Sequence, residues 1–265
     1  MRRHWIEHSS DALARLPTDR LVAVLPVGAV EQHGPHLPLS VDSRIVGALV
    51  DRLAKALPEQ SHALFLPVQM IGKSNEHEEY PGTLTLRAET FLAVIRETAE
   101  CVRSAGVRKL VVLNAHGGNS SLLDVAGREI RVATGMLVVN VNWWDVGLPP
   151  GLYAEQEVRH GIHAGEMETS VMLHLDPDQV DFAKAGNFRP RSADWESGFR
   201  HLRLSRGGRV AWRVRDLHPA GACGNAAAAS PEAGRRTLDH AADALAELLM
   251  EVERMQPDDL SEARQ

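Results

Sequence analysis

Short, nearly unbroken apolar runs recur along the chain at Leu21–Val27, Ala63–Val68, Lys109–Asn114 and Met136–Val141. Continuous rather than alternating hydrophobicity is the pattern of strands covered on both faces, as in a parallel sheet. Between these runs the apolar positions take a helical period. Ser43–Leu57 aligns Ile45, Val46, Leu49, Val50, Leu53 and Leu57 on one stripe, and Ala88–Ala105 does the same with Phe91, Leu92, Ile95, Ala99 and Val102. Ser120–Ala133 comes after the third run, and a closing helix spans about Pro231–Val252, with Pro near its start and an Ala/Leu stripe. Strand and helix in alternation predict an α/β fold of three layers, α/β/α, with a mostly parallel central sheet. Residues 1–255 read as a single domain and 256–265 as a frayed polar tail. The least regular stretch, 187–225, is rich in Arg, Gly and Pro and has room for short strands or an oligomer contact.

Composition narrows the class. A chain of 265 residues suits one large α/β domain and buries enough surface to need no disulfide staples. A net charge of -6 lacks the basic footprint of a nucleic-acid partner. Cys101 and Cys223 are too few for a disulfide framework, which points to a reducing, cytoplasmic compartment. The N-terminus MRRHWIEHSSDALARL has no apolar core for a signal peptide, and no run approaches the roughly 20 residues needed to span a bilayer. The partner is therefore expected to be a small molecule, not a membrane.

Ligands of open parallel sheets bind beyond the carboxyl ends of the strands, so the residues just after each apolar run carry the chemistry. The first run leads into GAVEQHGPHLPLSVDS, where Glu31 and His33, two apart, face the same side in extended backbone. Gly34, Pro35 and Pro38 exclude a helix there, and Asp42 comes next. Two carboxylates and an imidazole on one rigid loop suit Zn²⁺ or Mn²⁺; Asp42 could equally cap a helix starting at Ser43. The third run ends in NAHGGNSS, with His116 at the strand end. Gly117 and Gly118 let backbone approach a ligand, and Asn119 or Ser120 can cap the next helix.

In RHGIHAGEMETSVMLHL, a helix starting near Gly165 places Glu168 with Val171, Met172 and Leu175 on an apolar stripe, a costly place for a carboxylate without a partner or metal. Glu166 falls with Thr169, Ser170 and Leu173, toward solvent or a rim. His163, just before the helix, is placed to carry a proton. GKSNEHEEYPGTLTL has the look of an active-site loop, with Glu76 and His77 as candidates to orient substrate. His4, His8, His62, His201 and His240 lack supporting neighbours and read as surface residues.

The run LPVGAVEQHGPHLPLSVDS, then EHEEYPGTLTL, NAHGGN and HAGEMETS, in this order over residues 21–175, resembles the creatininase family of metal-dependent amidohydrolases. The resemblance implies two divalent ions per chain, Zn²⁺ or Mn²⁺ with Fe²⁺ possible, and a metal-bound hydroxide that attacks a cyclic or other small amide. Glu31 and His116 would hold one ion and His33 the other, with Asp42 bridging and His163 transferring the proton. It also implies a homo-oligomer, a hexamer by family habit. Two departures stand out. Creatininases proper carry a Glu two residues after the HGGN-type histidine, where this chain has Gly118; Glu168 is the candidate replacement. They also carry a Trp shortly before the proton-transferring His, where this chain has RHGIH; Trp143 and Trp144 are the candidates to line the pocket. Creatinine is accordingly a poor candidate substrate, and relatives with HGGN include a formamide deformylase and a mycofactocin-type precursor peptidase. A rival of another class is a small-molecule binding protein that has lost catalysis, as Gly118 would suggest.

Overall fold

The computed structural model describes residues 2–204 and 207–260. In chain order the helices and strands are α1 (Ser10–Ala14), β1 (Val22–Val27), α2 (Val41–Ala56), β2 (Ala63–Phe65), α3 (Ala88–Ser104), β3 (Lys109–Asn114), α4 (Ser120–Thr134), β4 (Leu137–Asn142), α5 (Glu155–His160) and α6 (Glu166–Leu175). Next come β5 (Asn187–Phe188), α7 (Ser192–Gly198), β6 (Leu202–Arg203), β7 (Gly208–Arg209), α8 (Val214–Leu217), β8 (Gly224–Asn225) and α9 (Pro231–Arg254).

β1 to β4 form one parallel sheet in the order β2-β1-β3-β4. All six residues of β1 and of β3 are buried, as their unbroken hydrophobicity requires. Successive side chains of a strand point to opposite faces, and the core divides accordingly. Val22, Val24, Val111 and Leu113 pack with α2, α6 and α9 on one face. Ala23, Leu25, Leu110 and Val112 pack with Phe91, Ile95 and Ala99 of α3 and Leu123, Ala126 and Ile130 of α4 on the other. Each fully buried Leu or Phe in these layers contributes about 1.5–3 kcal/mol. The helices thus lie on both faces of a mostly parallel sheet, the α/β/α arrangement expected.

The chain winds from β1 to β2 over one face, then crosses to β3 and β4 over the other. The direction of winding therefore reverses between β1 and β3, which makes their carboxyl ends the topological switch point.

Several boundaries differ from those the sequence suggests, each for a physical reason. β2 stops at Phe65 rather than Val68, because Pro67 has no N–H to offer a ladder. α2 starts at Val41, so Asp42 lies inside the first turn and does not cap it. α6 is not amphipathic against solvent: Thr169 and Ser170 are fully buried, since α9 packs so closely that a Cβ on Gly234 would meet the Ser170 backbone. His4, expected at the surface, is half-buried. With Arg3 it runs along the free side of β2, where Phe65 N–H donates to Arg3 O at 2.8 Å and the Arg3 guanidinium reaches Ser61 O at 2.6 Å. The described residues of 187–225 form two-residue strands and two short helices. In the expected tail, residues 257–260 form a 3-10 turn with Pro257 buried; residues 261–265 lie outside the described residues. No helix among the described residues is long and apolar enough to cross a membrane.

Candidate metal centre

Four segments meet at the switch point: the loops after β1, β2 and β3, and the turn that opens α6. The first is cinched to its surroundings by backbone. Gly28 N–H donates to Gln69 O (2.9 Å), Glu31 N–H to Leu39 O (3.0 Å) and the Ser43 hydroxyl to Ala29 O (2.8 Å). Glu31 is fully buried and His33 nearly so. The His33 Nδ1–H points at Glu31 O, 3.0 Å away. A carbonyl can only accept, so that bond keeps a proton on Nδ1 and leaves Nε2 as the atom that a metal would take in place of a proton. Nε2 faces Asp42 Oδ1 at 3.4 Å, Glu168 Oε2 at 3.9 Å and Glu31 Oε1 at 4.0 Å. Asp42, in the first turn of α2, also gains from the helix dipole.

His116 lies just past β3 and is oriented the same way. Its Nε2 lies 3.0 Å from Lys73 O and 3.3 Å from Ser74 Oγ, so Nδ1 is left facing Asp42 Oδ2 at 3.4 Å. Glu31 Oε2 stands 3.2 Å and Glu76 Oε1 3.6 Å from His116 Nε2. Glu168 is steadied by Ala164 N–H, which donates to its Oε2 at 2.5 Å.

His163 and His77 lie tilted over the same group. His163 lies 4.2 Å from His33 and 4.3 Å from His77, ring centre to ring centre. His163 Nε2–H donates to Gln32 O (2.8 Å), which turns Nδ1 toward Glu31 Oε1, 3.6 Å away. His77 Nδ1 accepts from Gln32 Nε2 (2.7 Å), which leaves its Nε2–H toward Glu31 Oε1 (3.3 Å). Gln32, between Glu31 and His33 in the first motif but given no role by the sequence, therefore organises both rings. Its Nε2 also donates to Gly221 O (3.0 Å), and its Oε1 accepts from Gly34 N–H (3.0 Å). Most of its partners lie far off in sequence, so no local period marks it out.

The electrostatics divide the cluster. Burial, aided by Asp42 and opposed by His116 and His33, pushes the Glu31 carboxyl up to about 8. Burial likewise raises Glu168. For His33 burial favours the neutral ring, but Asp42, Glu168 and Glu31 together prevail and lift it to about 10; for His116 burial is likewise outweighed, by Glu31 and Asp42, and its pKa is raised. His77 and His163 go the other way. Burial and the neighbouring His116 and His33 hold His77 down at about 2, and burial with His33 and His77 holds His163 well below its usual value.

This donor set fits divalent cations. Glu31 Oε1 and Oε2, His33 Nε2 and Asp42 Oδ2 are buried without any hydrogen-bond partner, an expense proteins avoid unless another species satisfies the atoms. Ligand atoms of Glu31, Asp42 and His116 lie within 4.8 Å of one another, as do those of His33, Asp42 and Glu168, and those of Glu31, His33 and His163. Carboxylate and imidazole donors without thiolate suit Zn²⁺ or Mn²⁺.

The remaining expected site residues surround this cluster to different depths. A Cβ on Gly117 would meet nothing within 4 Å, so open space adjoins it. A Cβ on Gly118 would collide with Glu76 Oε1 and His116 Nε2: the Glu76 carboxylate occupies the place a side chain at 118 would need. Asn119 does not cap α4. It is fully buried, donating to Gly28 O and Asn114 Oδ1 and accepting from Lys73 N–H, because these tie the three loops together across the sheet edge. Trp143 is buried in the core beside α2, α6 and α9, with Trp144 packed edge-on against it. Glu166 is half-buried.

Comparison with known proteins agrees with the geometry. The family model described as creatinine amidohydrolase, the creatininase family, matches residues 7–249. A mycofactocin precursor peptide peptidase of Mycobacterium ulcerans is 34% identical over 246 residues, which is 89% of this chain and 88% of that protein. A creatinine amidohydrolase of Pseudomonas putida is 34% identical over 202 residues, 70% of this chain and 75% of its own length. Among solved structures, a manganese form of creatininase superposes with a TM-score of 0.76 at 25% identity, covering 96% of this chain and 100% of the other. A creatininase variant of Zn-Zn type gives 0.75 at 26% identity, covering 95% and 98%.

Proposed function

Because this chain belongs to the creatininase family of hydrolases, we propose that it hydrolyses amide C–N bonds with two divalent ions held at the switch point. The observation that carries the reading is Asp42: it belongs both to the set with Glu31 and His116 and to the set with His33 and Glu168, as a carboxylate bridging two ions must. Glu168 takes the part of the carboxylate that creatininases proper carry where this chain has Gly118. Two ions bound there would polarise an amide carbonyl and make water acidic enough to supply a nucleophile near pH 7.

The chain's own groups do the rest. Glu31, Asp42 and Glu168 bring three negative charges against the four positive charges of two such ions, which favours one further anion in the site. His163 is kept neutral by its burial and by the imidazoles beside it, so Nδ1 can accept a proton on the side of the reacting centre. The same atom hands that proton to the leaving nitrogen, which departs poorly as an anion. His77 Nε2 stands 3.3 Å from Glu31 Oε1, and Glu76 borders the His116 ring. Gly117 gives a substrate room to approach.

The substrate reading is an amide of small size, cyclic or formyl. A second reading, trimming of a peptide, is favoured by the extent of the match to the mycofactocin precursor peptide peptidase and by the absence of the creatininase Glu at Gly118. The loss-of-catalysis alternative is weakened by Glu168, which restores the missing carboxylate. The test is metal analysis of reconstituted protein, followed by a panel of lactams, hydantoins, formamides and short peptides. We expect close to two ions per chain, and loss of turnover in His33→Ala and Asp42→Ala with the fold retained. Absence of bound metal after exposure to Zn²⁺ and Mn²⁺, or full turnover in Asp42→Ala, overturns the proposal.

A further inference from the structure

Outside the cluster just described, one buried carboxylate is used in an unusual way. Glu157, in α5, is only 8% exposed, and no cationic side chain pairs with it among the described residues. Its charge is met by backbone instead. Glu166 N–H donates to Oε1 at 2.7 Å and Asn225 N–H to Oε2 at 2.8 Å. Burying an ion without a counter-ion is costly, and two charge-assisted N–H bonds are the compensation. The space for it is made by glycine: a Cβ on Gly161, Gly165 or Gly224 would collide with Glu157 Oε1.

One N–H group belongs to a segment that carries the chemistry, the other to that segment's backbone partner. Glu166 opens α6, three residues after His163 and two before Glu168. Asn225 lies two residues past Cys223, whose backbone pairs with that of His163: Cys223 N–H donates to His163 O at 2.7 Å. Between His163 and α6 the chain passes through Ala164 at a φ of +52°, a left-handed conformation that costs a non-glycine residue energy and needs its surroundings to hold it. That conformation aims Ala164 N–H at Glu168 Oε2. One carboxylate therefore ties the start of α6, just past the strained turn, to the segment whose backbone pairs with His163 at the turn's other end.

We propose that Glu157 is a positioning residue that acts through Glu168 and His163, setting the occupancy of the ion held by His33, Asp42 and Glu168. The inference rests on the two-ion reading above. Glu157→Gln keeps the shape but turns an amide N–H against one of the two backbone N–H groups. Glu157→Asp keeps the charge and shortens the reach.

The experiment is competition for Zn²⁺ against a chromophoric chelator, on wild type, Glu157→Gln, Glu157→Asp, Glu168→Gln and the Glu157→Gln/Glu168→Gln double variant, with thermal unfolding in excess EDTA alongside. We expect two ions in wild type. In Glu157→Gln the affinity for one ion should fall 10–100-fold, the range for loss of a group that orients a ligand, while the other changes less than about twofold. Glu157→Asp should show the same selective loss to a smaller degree. The ion lost should be the one lost in Glu168→Gln, and the double variant should lose nothing further. Unchanged affinities in both Glu157 variants overturn the proposal. So does an equal loss at both sites with a lowered unfolding midpoint in EDTA, which is the mark of a purely structural residue. A wild-type chain that never binds a second ion overturns the two-ion reading itself, a result distinct from either.

Discussion

Replacing Glu31 by Gln tests the electrostatic account of the site most directly, because the effect should change sign with metal. In the metal-free chain this carboxyl is fully buried, its oxygens have no hydrogen-bond partner, and its pKa is raised from 4.5 to about 8. An acid whose folded pKa lies above its unfolded one contributes most to stability below the lower value. That contribution fades as pH climbs from 4.5 through 8. At about 1.4 kcal/mol per pH unit, the interval up to pH 7 costs roughly 3 kcal/mol. His33 and His116 recover part of this by taking up the proton, so a gain of roughly 1–3 kcal/mol is expected from a neutral isostere. At about 2–4 °C per kcal/mol for a chain of this size, Glu31→Gln should melt roughly 2–12 °C above wild type in EDTA at pH 7. With Zn²⁺ at about 1,000 times its dissociation constant, wild type gains about 4 kcal/mol that the variant, short of a ligand, cannot match. The order of melting should then reverse. The assay is scanning calorimetry of both proteins in EDTA and in Zn²⁺; a variant less stable than wild type under both conditions would refute the reasoning.

Two further outcomes are expected from packing and charge. Gly118→Ala forces a methyl against Glu76, His116 and the Lys73 carbonyl at 2.5 Å; overpacking of this kind costs about 1–3 kcal/mol, read by urea unfolding in EDTA, and it should also weaken Zn²⁺ binding. His36 is buried and its pKa is lowered to about 4 by burial and by His33, so its contribution to stability is intact above pH 6.5 and is lost as pH falls toward 4. Urea unfolding of wild type and His36→Gln should therefore converge across that window, and parallel curves would count against it.

Much of the molecule is legible in one dimension because the relevant signals are local. Apolar runs at Leu21–Val27 and Lys109–Asn114 mark buried strands whatever packs on them. Glu31, His33 and His116 stand out because strand ends are where α/β sheets bind ligands. Glu168 is legible from a single clash, a carboxylate on an apolar stripe. The failures share a cause. Asn119 looks like a helix cap by type and position, but its partners Gly28 and Lys73 come from loops that only the folded sheet edge brings near. Gln32 and Glu157 make their defining bonds to groups remote in sequence. Thr169 and Ser170 read as a polar face because α9, which covers them, lies some 60 residues further on. Asp42 is open to two readings because the first turn of a helix suits both a cap and a ligand, and only the start at Val41 separates them.

The strip formed by Arg3 and His4 has a practical corollary. Beyond it lies the bare rim of β2, whose Phe65 amide would otherwise face water with its hydrogen-bonding capacity unspent. Strand rims left open in this way recruit other chains. Trimming the protein past His4 should yield material that self-associates while its metal-binding residues stay intact.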